Sequence, residues 1–201
     1  MTQLEIMGAN AKNASVFLRT AGSKKDDALL AIAKALREHS DEIIKANEID
    51  IENGKNAGLT ESLLDRLRLT PERINGMAEG VEQVAALADP IGNVLEGRTL
   101  KNGLNIEKVR VPMGVIGIIF EARPNVTFDV FSLCFRSGNV CVLKGGSDAD
   151  FSNRALVRII HSVLERQGIN PAVCTLLPPD REATAELLGA VGFCLLYTSP
   201  S

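Results

Sequence analysis

Lys144 closes an apolar run, Val140-Cys141-Val142-Leu143, and stands directly before Gly145-Gly146-Ser147. About twenty residues earlier a second run, Val115 to Phe120, gives way to Glu121-Ala122-Arg123-Pro124-Asn125. An ammonium at the tip of a buried strand can meet a ribose or its phosphate as a compact point charge. A guanidinium on a turn can hold an anionic group bidentately. Gly145 and Gly146 permit positive φ and close backbone approach. Two strand ends so equipped are what an open parallel sheet needs to hold a dinucleotide at its carboxyl edge. No GxGxxG fingerprint is present, so the usual phosphate-binding turn is not the device. The plain alternatives are a solvated lysine before an ordinary Gly-Gly loop and, for Arg123, a salt bridge to Asp129 or Glu121.

The remaining reactive side chains offer little. Cys134, Cys141, Cys174 and Cys194 form no CxxC pair, and His39 and His161 lie far from metal-ligand spacing, so no metal site is expected. The cysteines sit in helical, strand-like or apolar settings and read as small buried hydrophobes of a reducing compartment. Neither Cys134 nor Cys141 lies on the exposed turn that a reactive thiolate needs. A net charge of -3 and 4% aromatics exclude a basic nucleic-acid surface and a base-stacking platform. No apolar run approaches the roughly 18 residues of a membrane span. The N-terminus lacks the basic-then-apolar pattern of a signal peptide, so a cytoplasmic location is expected.

The elements that must position these groups follow from periodicity. The first 90 residues read as helices: Ala28, Leu29, Ile32, Ala35 and Leu36 recur at helical spacing, as do Ile74, Met77, Val81, Val84 and Leu87. Ser40-Asp41-Glu42, Thr60-Glu61 and Thr70-Pro71 offer helix starts, and Asp89-Pro90 a stop. Residues 91–111 alternate apolar and polar around Asn102-Gly103, the pattern of a β-hairpin that faces water or adds to another sheet. From 112 to 194 strands and helices alternate. Strands are expected over Val115–Phe120, Val140–Leu143 and Ala172–Leu177 and from Phe193, with helices over Thr127–Arg136, Asp150–Gln167 and Asp180–Leu188. This order implies a parallel sheet with right-handed crossovers.

Several stretches together resemble the gamma-glutamyl phosphate reductase family of the aldehyde dehydrogenase superfamily. They are Leu64-Asp65-Arg66-Leu67, Asp89-Pro90-Ile91-Gly92, Asn102-Gly103-Leu104, Val111-Pro112-Met113-Gly114-Val115-Ile116-Gly117, Glu121-Ala122-Arg123-Pro124-Asn125-Val126-Thr127, Ser137-Gly138-Asn139 and Leu143-Lys144-Gly145-Gly146. The resemblance implies an α/β, aldehyde-dehydrogenase-like fold: N-terminal helices, a partial Rossmann-like sheet and a hairpin oligomerisation ribbon. It implies NADPH-dependent reduction of gamma-glutamyl phosphate to the semialdehyde, a step of proline biosynthesis. The reaction passes through a cysteine thioester whose nucleophile is expected beyond Ser201. It also implies a homo-oligomer and an association with glutamate 5-kinase.

For individual residues, the resemblance assigns the cofactor groove to Ile119, Phe120, Glu121, Lys144, Gly145, Gly146 and Ser147. NAD-preferring relatives often carry a glutamate three residues after the lysine. Ser147 stands there instead, leaving room for a 2′-phosphate and favouring NADP. Arg123 and Asn125 fall where the wider superfamily has a Trp-Asn pair whose asparagine stabilises an oxyanion, and are candidate substrate contacts. Residues 195–201 do not match the family and are read as a non-native tail. The chain is thus expected to be an N-terminal fragment lacking the catalytic domain, inactive alone, with an unpaired sheet edge, one uncovered face and a tendency to aggregate. The rival readings are a non-catalytic nucleotide-binding or interaction module and a general NAD(P)-dependent aldehyde dehydrogenase.

Overall fold

A computed structural model describes residues 3–190 and the short strand 196–198. Five helices come first: α1 (Gln3–Leu18), α2 (Lys24–Glu38), α3 (Ser40–Asn56), α4 (Glu61–Leu67) and α5 (Pro71–Ala86). Local chemistry sets their ends. The Thr60 hydroxyl accepts from Leu63 N–H at 3.4 Å, alongside the Thr60 carbonyl at 2.9 Å, and Thr70 accepts from Arg73 N–H at 3.2 Å, satisfying an otherwise orphan donor. Pro71 occupies the first turn of α5, where its missing N–H costs nothing.

The hairpin follows, with β1 (Val94–Thr99) antiparallel to β2 (Asn105–Val109). Leu100 and Leu104 close a three-residue loop over Lys101-Asn102-Gly103, and Gly103 adopts φ +87°, a conformation open mainly to glycine. Every residue of both strands is exposed. The ribbon forms a two-stranded sheet of its own.

The second sheet is parallel: β3 (Val115–Ile119), β4 (Val140–Lys144), β5 (Cys174–Leu176) and β6 (Leu196–Thr198), linked through α6 (Val126–Arg136), α7 (Asp150–Arg166) and α8 (Arg181–Leu188). Its spatial order is β5-β4-β3-β6. The chain runs outward from β3 to β5 and then returns to the far side of β3, so the order reverses between β3 and β6. β5 is shorter than the run Ala172–Leu177 suggests. The Asn170 side chain accepts from Ala172 N–H at 2.9 Å and winds Pro171–Val173 into a 3₁₀ turn. Phe193, the expected start of the fourth strand, and Cys194 lie outside the described residues, as do 195 and 199–201 of the expected tail. Residues 196–198 of that tail pair with Ile116, Gly117 and Ile118.

The expected uncovered face is not found. Helix α1 lies against β3, β4, β5 and α8, while α6 and α7 pack on β4 and β5. β4 is buried throughout and β3 is buried except at its last residue. One hydrophobic cluster runs from Leu29, Ile32 and Ile74 in the helical part to Ile118, Val142 and Ile160 around the sheet. The helices and the sheet therefore share one core.

Candidate functional site

Adjacent strand tips form the candidate site. Ile119 pairs with Lys144 in the parallel register, and Phe120 N–H donates to the Lys144 carbonyl at 3.0 Å. The two tips singled out in the sequence thus lie side by side at the carboxyl edge, next to the order reversal. Open α/β sheets bind ligands at this switch point.

Lys144 is only 7% exposed, and its Nζ donates to the Pro179 carbonyl at 2.9 Å. It is not a solvated lysine. It ties the end of β4 to the loop after β5, and two of its three N–H donors remain uncommitted to protein among the described residues. Ser147 is exposed and opens a 3₁₀ turn over Ser147–Ala149. Ile119 is half-buried, Phe120 buried and Glu121 exposed.

The glycines are required by crowding, not by backbone sign. Neither Gly145 nor Gly146 has positive φ, so that part of the expectation is corrected. A Cβ on Gly145 would stand 2.3 Å from Asn153 Nδ2, and one on Gly146 would stand 3.3 Å from the Glu121 Cα. Asn153 is itself buried. Its Oδ1 accepts from Thr127 Oγ1 at 3.0 Å, while Nδ2 has no partner among the described residues. The Gly-Gly turn thus lets the β4 tip press against α7 on one side and the β3 tip on the other.

Arg123 and Asn125 lie just beyond β3, where the loop enters α6. Arg123 makes no ion pair with Asp129 or Glu121, so the salt-bridge alternative is not realised. Asn125 instead donates from Nδ2 to the Asp129 carboxylate at 3.1 Å. Desolvation raises the Asp129 pKa, and the hydrogen bond from Asn125 draws it partly back. Both residues line a cleft of about 480 Å3 with Asp65, Arg66, Arg68, Leu69, Arg73, Gly76, Met77 and Asp129. Arg66, Arg68 and Arg73 were not singled out from the sequence. They come from the junction of α4 and α5, fifty or more residues before Arg123, and no local spacing announces that meeting.

The described cysteines are unsuited to nucleophilic work. Cys134, Cys141 and Cys174 are buried and free. Burial, with the charge of neighbouring Cys141, pushes the Cys134 thiol far up. A hydrogen bond with Cys174 and burial do the same at Cys141. Thiolate is disfavoured at both. No group of three or more His, Cys, Asp or Glu side chains able to hold a metal occurs among the described residues.

An open parallel sheet with helices packed on it and a strand-order reversal places the chain among the doubly wound type of α/β proteins. Residues 2–195 match the model of the aldehyde dehydrogenase family, and the chain belongs to that family. Within it the similarity is to gamma-glutamyl phosphate reductases. The chain is 68% identical over 160 residues to that of Parabacteroides distasonis, covering 80% of this chain and 38% of the relative. It is 47% identical over 190 residues to that of Glaesserella parasuis, covering 94% and 45%. The crystal structure of the Thermotoga maritima gamma-glutamyl phosphate reductase superposes with a TM-score of 0.96 at 37% identity, over 100% of this chain and 49% of that one. A probable aldehyde dehydrogenase from Listeria monocytogenes shares the fold alone, with a TM-score of 0.74 at 16% identity. The chain therefore spans less than half the length of the curated relatives it matches. The resemblance read from the residues and the fold class it implied are borne out.

Proposed function

We propose that this chain forms the coenzyme-holding portion of an enzyme that reduces gamma-glutamyl phosphate with NADPH, yielding glutamate 5-semialdehyde, NADP and inorganic phosphate. The observation that carries the reading is the pairing of Ile119 with Lys144 beside the switch point, with Ser147 exposed three residues on. The residues present fit a phosphorylated dinucleotide. Lys144 has donors to spare for a ribose or phosphate oxygen. Ser147 offers a hydroxyl where a carboxylate would repel a 2′-phosphate. Ile119 and Phe120 offer an apolar edge beside them. When bound, the coenzyme supplies the hydride, and the chain's own residues hold and orient it. The buried thiols leave no suitable nucleophile among the described residues, which is consistent with a thioester-forming cysteine elsewhere in the complete enzyme.

A homo-oligomer assembled through the exposed hairpin accords with Val94, Leu95, Leu104, Ile106 and Val109 lying 39–56% exposed on that ribbon. A cytoplasmic location fits the reduced thiols, and no helix among the described residues is long and apolar enough to cross a membrane. A glutamate 5-kinase partner is chemically reasonable, because a labile acyl phosphate benefits from direct hand-over.

The test is a hybrid in which the 160 matching residues of this chain replace their counterparts in the Parabacteroides distasonis reductase. The hybrid should run the reaction in reverse, from the semialdehyde and phosphate, with NADP preferred over NAD. Ser147→Glu should lower that preference at least about tenfold, a change of ~1.4 kcal/mol. Equal use of both coenzymes by the unmodified hybrid would remove the argument from Ser147.

A further inference from the structure

The cleft lined by Arg66, Arg68, Arg73, Arg123 and Asp129 carries an inference that rests on the preceding reading and extends it to the other substrate. Its wall holds four guanidinium groups against two carboxylates. One of the four is committed: Arg73 donates to Asp65 Oδ1 at 2.9 Å, to the Arg68 carbonyl at 2.8 Å and to the Asp65 carbonyl. That staple fastens the end of α4 to the start of α5. Arg66, Arg68 and Arg123 have no side-chain partner among the described residues, and all three are exposed. Among the described residues the Asp129 carboxylate accepts only from the Asn125 amide.

A cluster of unpaired cations accompanied by one carboxylate is poorly matched to a phosphate dianion alone, because the carboxylate would repel it. It matches a group that carries both signs. The Arg123–Asn125 loop begins two residues beyond Glu121 at the β3 tip, so the cleft borders the coenzyme edge without overlapping it. We propose that this cleft binds the α-amino-acid head of the substrate, with Arg123 and Arg68 on the α-carboxylate and Asp129 on the α-ammonium. The distal acyl group would then point toward the strand tips. A planar guanidinium suits a carboxylate bidentately, and Asn125, donating to the Asp129 carboxylate, fixes its orientation as a positioning residue.

The experiment uses the same hybrid enzyme, assayed in reverse with glutamate 5-semialdehyde or its des-amino analogue, 5-oxopentanoate. Arg123→Met and Arg68→Met should raise KM for the semialdehyde about 10- to 100-fold while kcat stays within about threefold. KM for phosphate and for NADP should not move. Asp129→Asn should abolish the preference for the amino substrate over the des-amino one. An active hybrid whose semialdehyde KM ignores all three substitutions, or whose phosphate KM rises instead, overturns the assignment. Should the hybrid show no turnover with any coenzyme, the reaction assigned above fails on its own account. The cleft is then judged by titrating the 201-residue chain with L-glutamate and glutarate, followed at the arginine side-chain resonances. Preference for L-glutamate that disappears in Arg123→Met upholds the proposal, and equal binding or none refutes it.

Discussion

Lys144 and the two glycines after it play different structural parts at the β4 tip. The lysine supplies charge at a strand tip, and the glycines let that tip approach α7 and the neighbouring strand. Replacing Gly145 by Ala drives a methyl group into Asn153, which is short, buried and held by Thr127. Overpacking of this kind costs about 1–3 kcal/mol, and Tm should fall by about 2–4 °C for each kcal/mol lost. A melt of Gly145→Ala that coincides with the parent would show that the turn has room to give. The candidacy of these positions was legible in the sequence, because a cation and two glycines directly follow an apolar run. Their packing role was not. The contact between Gly145 and Asn153 depends on where α7 lies, and the bond from Lys144 to Pro179 depends on the path of a loop thirty-five residues away.

Helix α2 is tied to the rest of the molecule by charge as well as by apolar contact. Lys25 is fully buried, 2.7 Å from the Asp89 carboxylate and 3.0 Å from the Arg136 carbonyl it donates to. Arg136 in turn bridges Asp26 and the Leu87 carbonyl, joining α2, α5 and α6. Desolvation works to raise the Asp89 pKa, but hydrogen bonds from Lys25 and Ile91 N–H, with the charges of Lys25 and Arg136, outweigh it. The net shift is downward from 3.8. A carboxyl depressed in the folded state stabilises above its unfolded pKa and loses that contribution as pH falls through the folded one. The urea midpoint should therefore drop on acidification below about pH 4, and Asp89→Asn should flatten that drop. An unchanged acid limb in Asp89→Asn would exclude this pair as its source. Lys25→Met should cost about 3 kcal/mol at neutral pH, the scale for breaking one side of a buried pair, read from the same denaturation curves. Elements of this kind were the most legible part of the sequence. Thr60 and Thr70 with Pro71 mark helix starts by local chemistry. The start of β5 was misread because Ala172 and Val173 look strand-like, whereas the Asn170 side chain winds them into a turn. The first helix escaped separate notice because Gln3–Leu18 lacks a strong polar-apolar stripe, yet α1 is what covers the second face of the sheet.

At the scale of the whole molecule, the two sheets have opposite characters. The parallel sheet is enclosed by helices, while the hairpin leaves its apolar side chains to solvent. Self-association of the chain should therefore run through the ribbon rather than through an open face. Leu104→Lys with Ile106→Lys should shift sedimentation from larger species to monomer without lowering Tm, and persistence of the larger species would place the contact elsewhere. The most direct test of the central claim, that the tips near Ile119 and Lys144 hold a phosphorylated nicotinamide coenzyme, uses the coenzyme's own light. The chain has no tryptophan, so NADPH fluorescence can be followed against little protein background. Titration should give a saturable signal for NADPH, weaker binding of NADH, and an affinity at least about tenfold lower, ~1.4 kcal/mol, in Lys144→Met. No saturation, or the same affinity in Lys144→Met, would contradict the account.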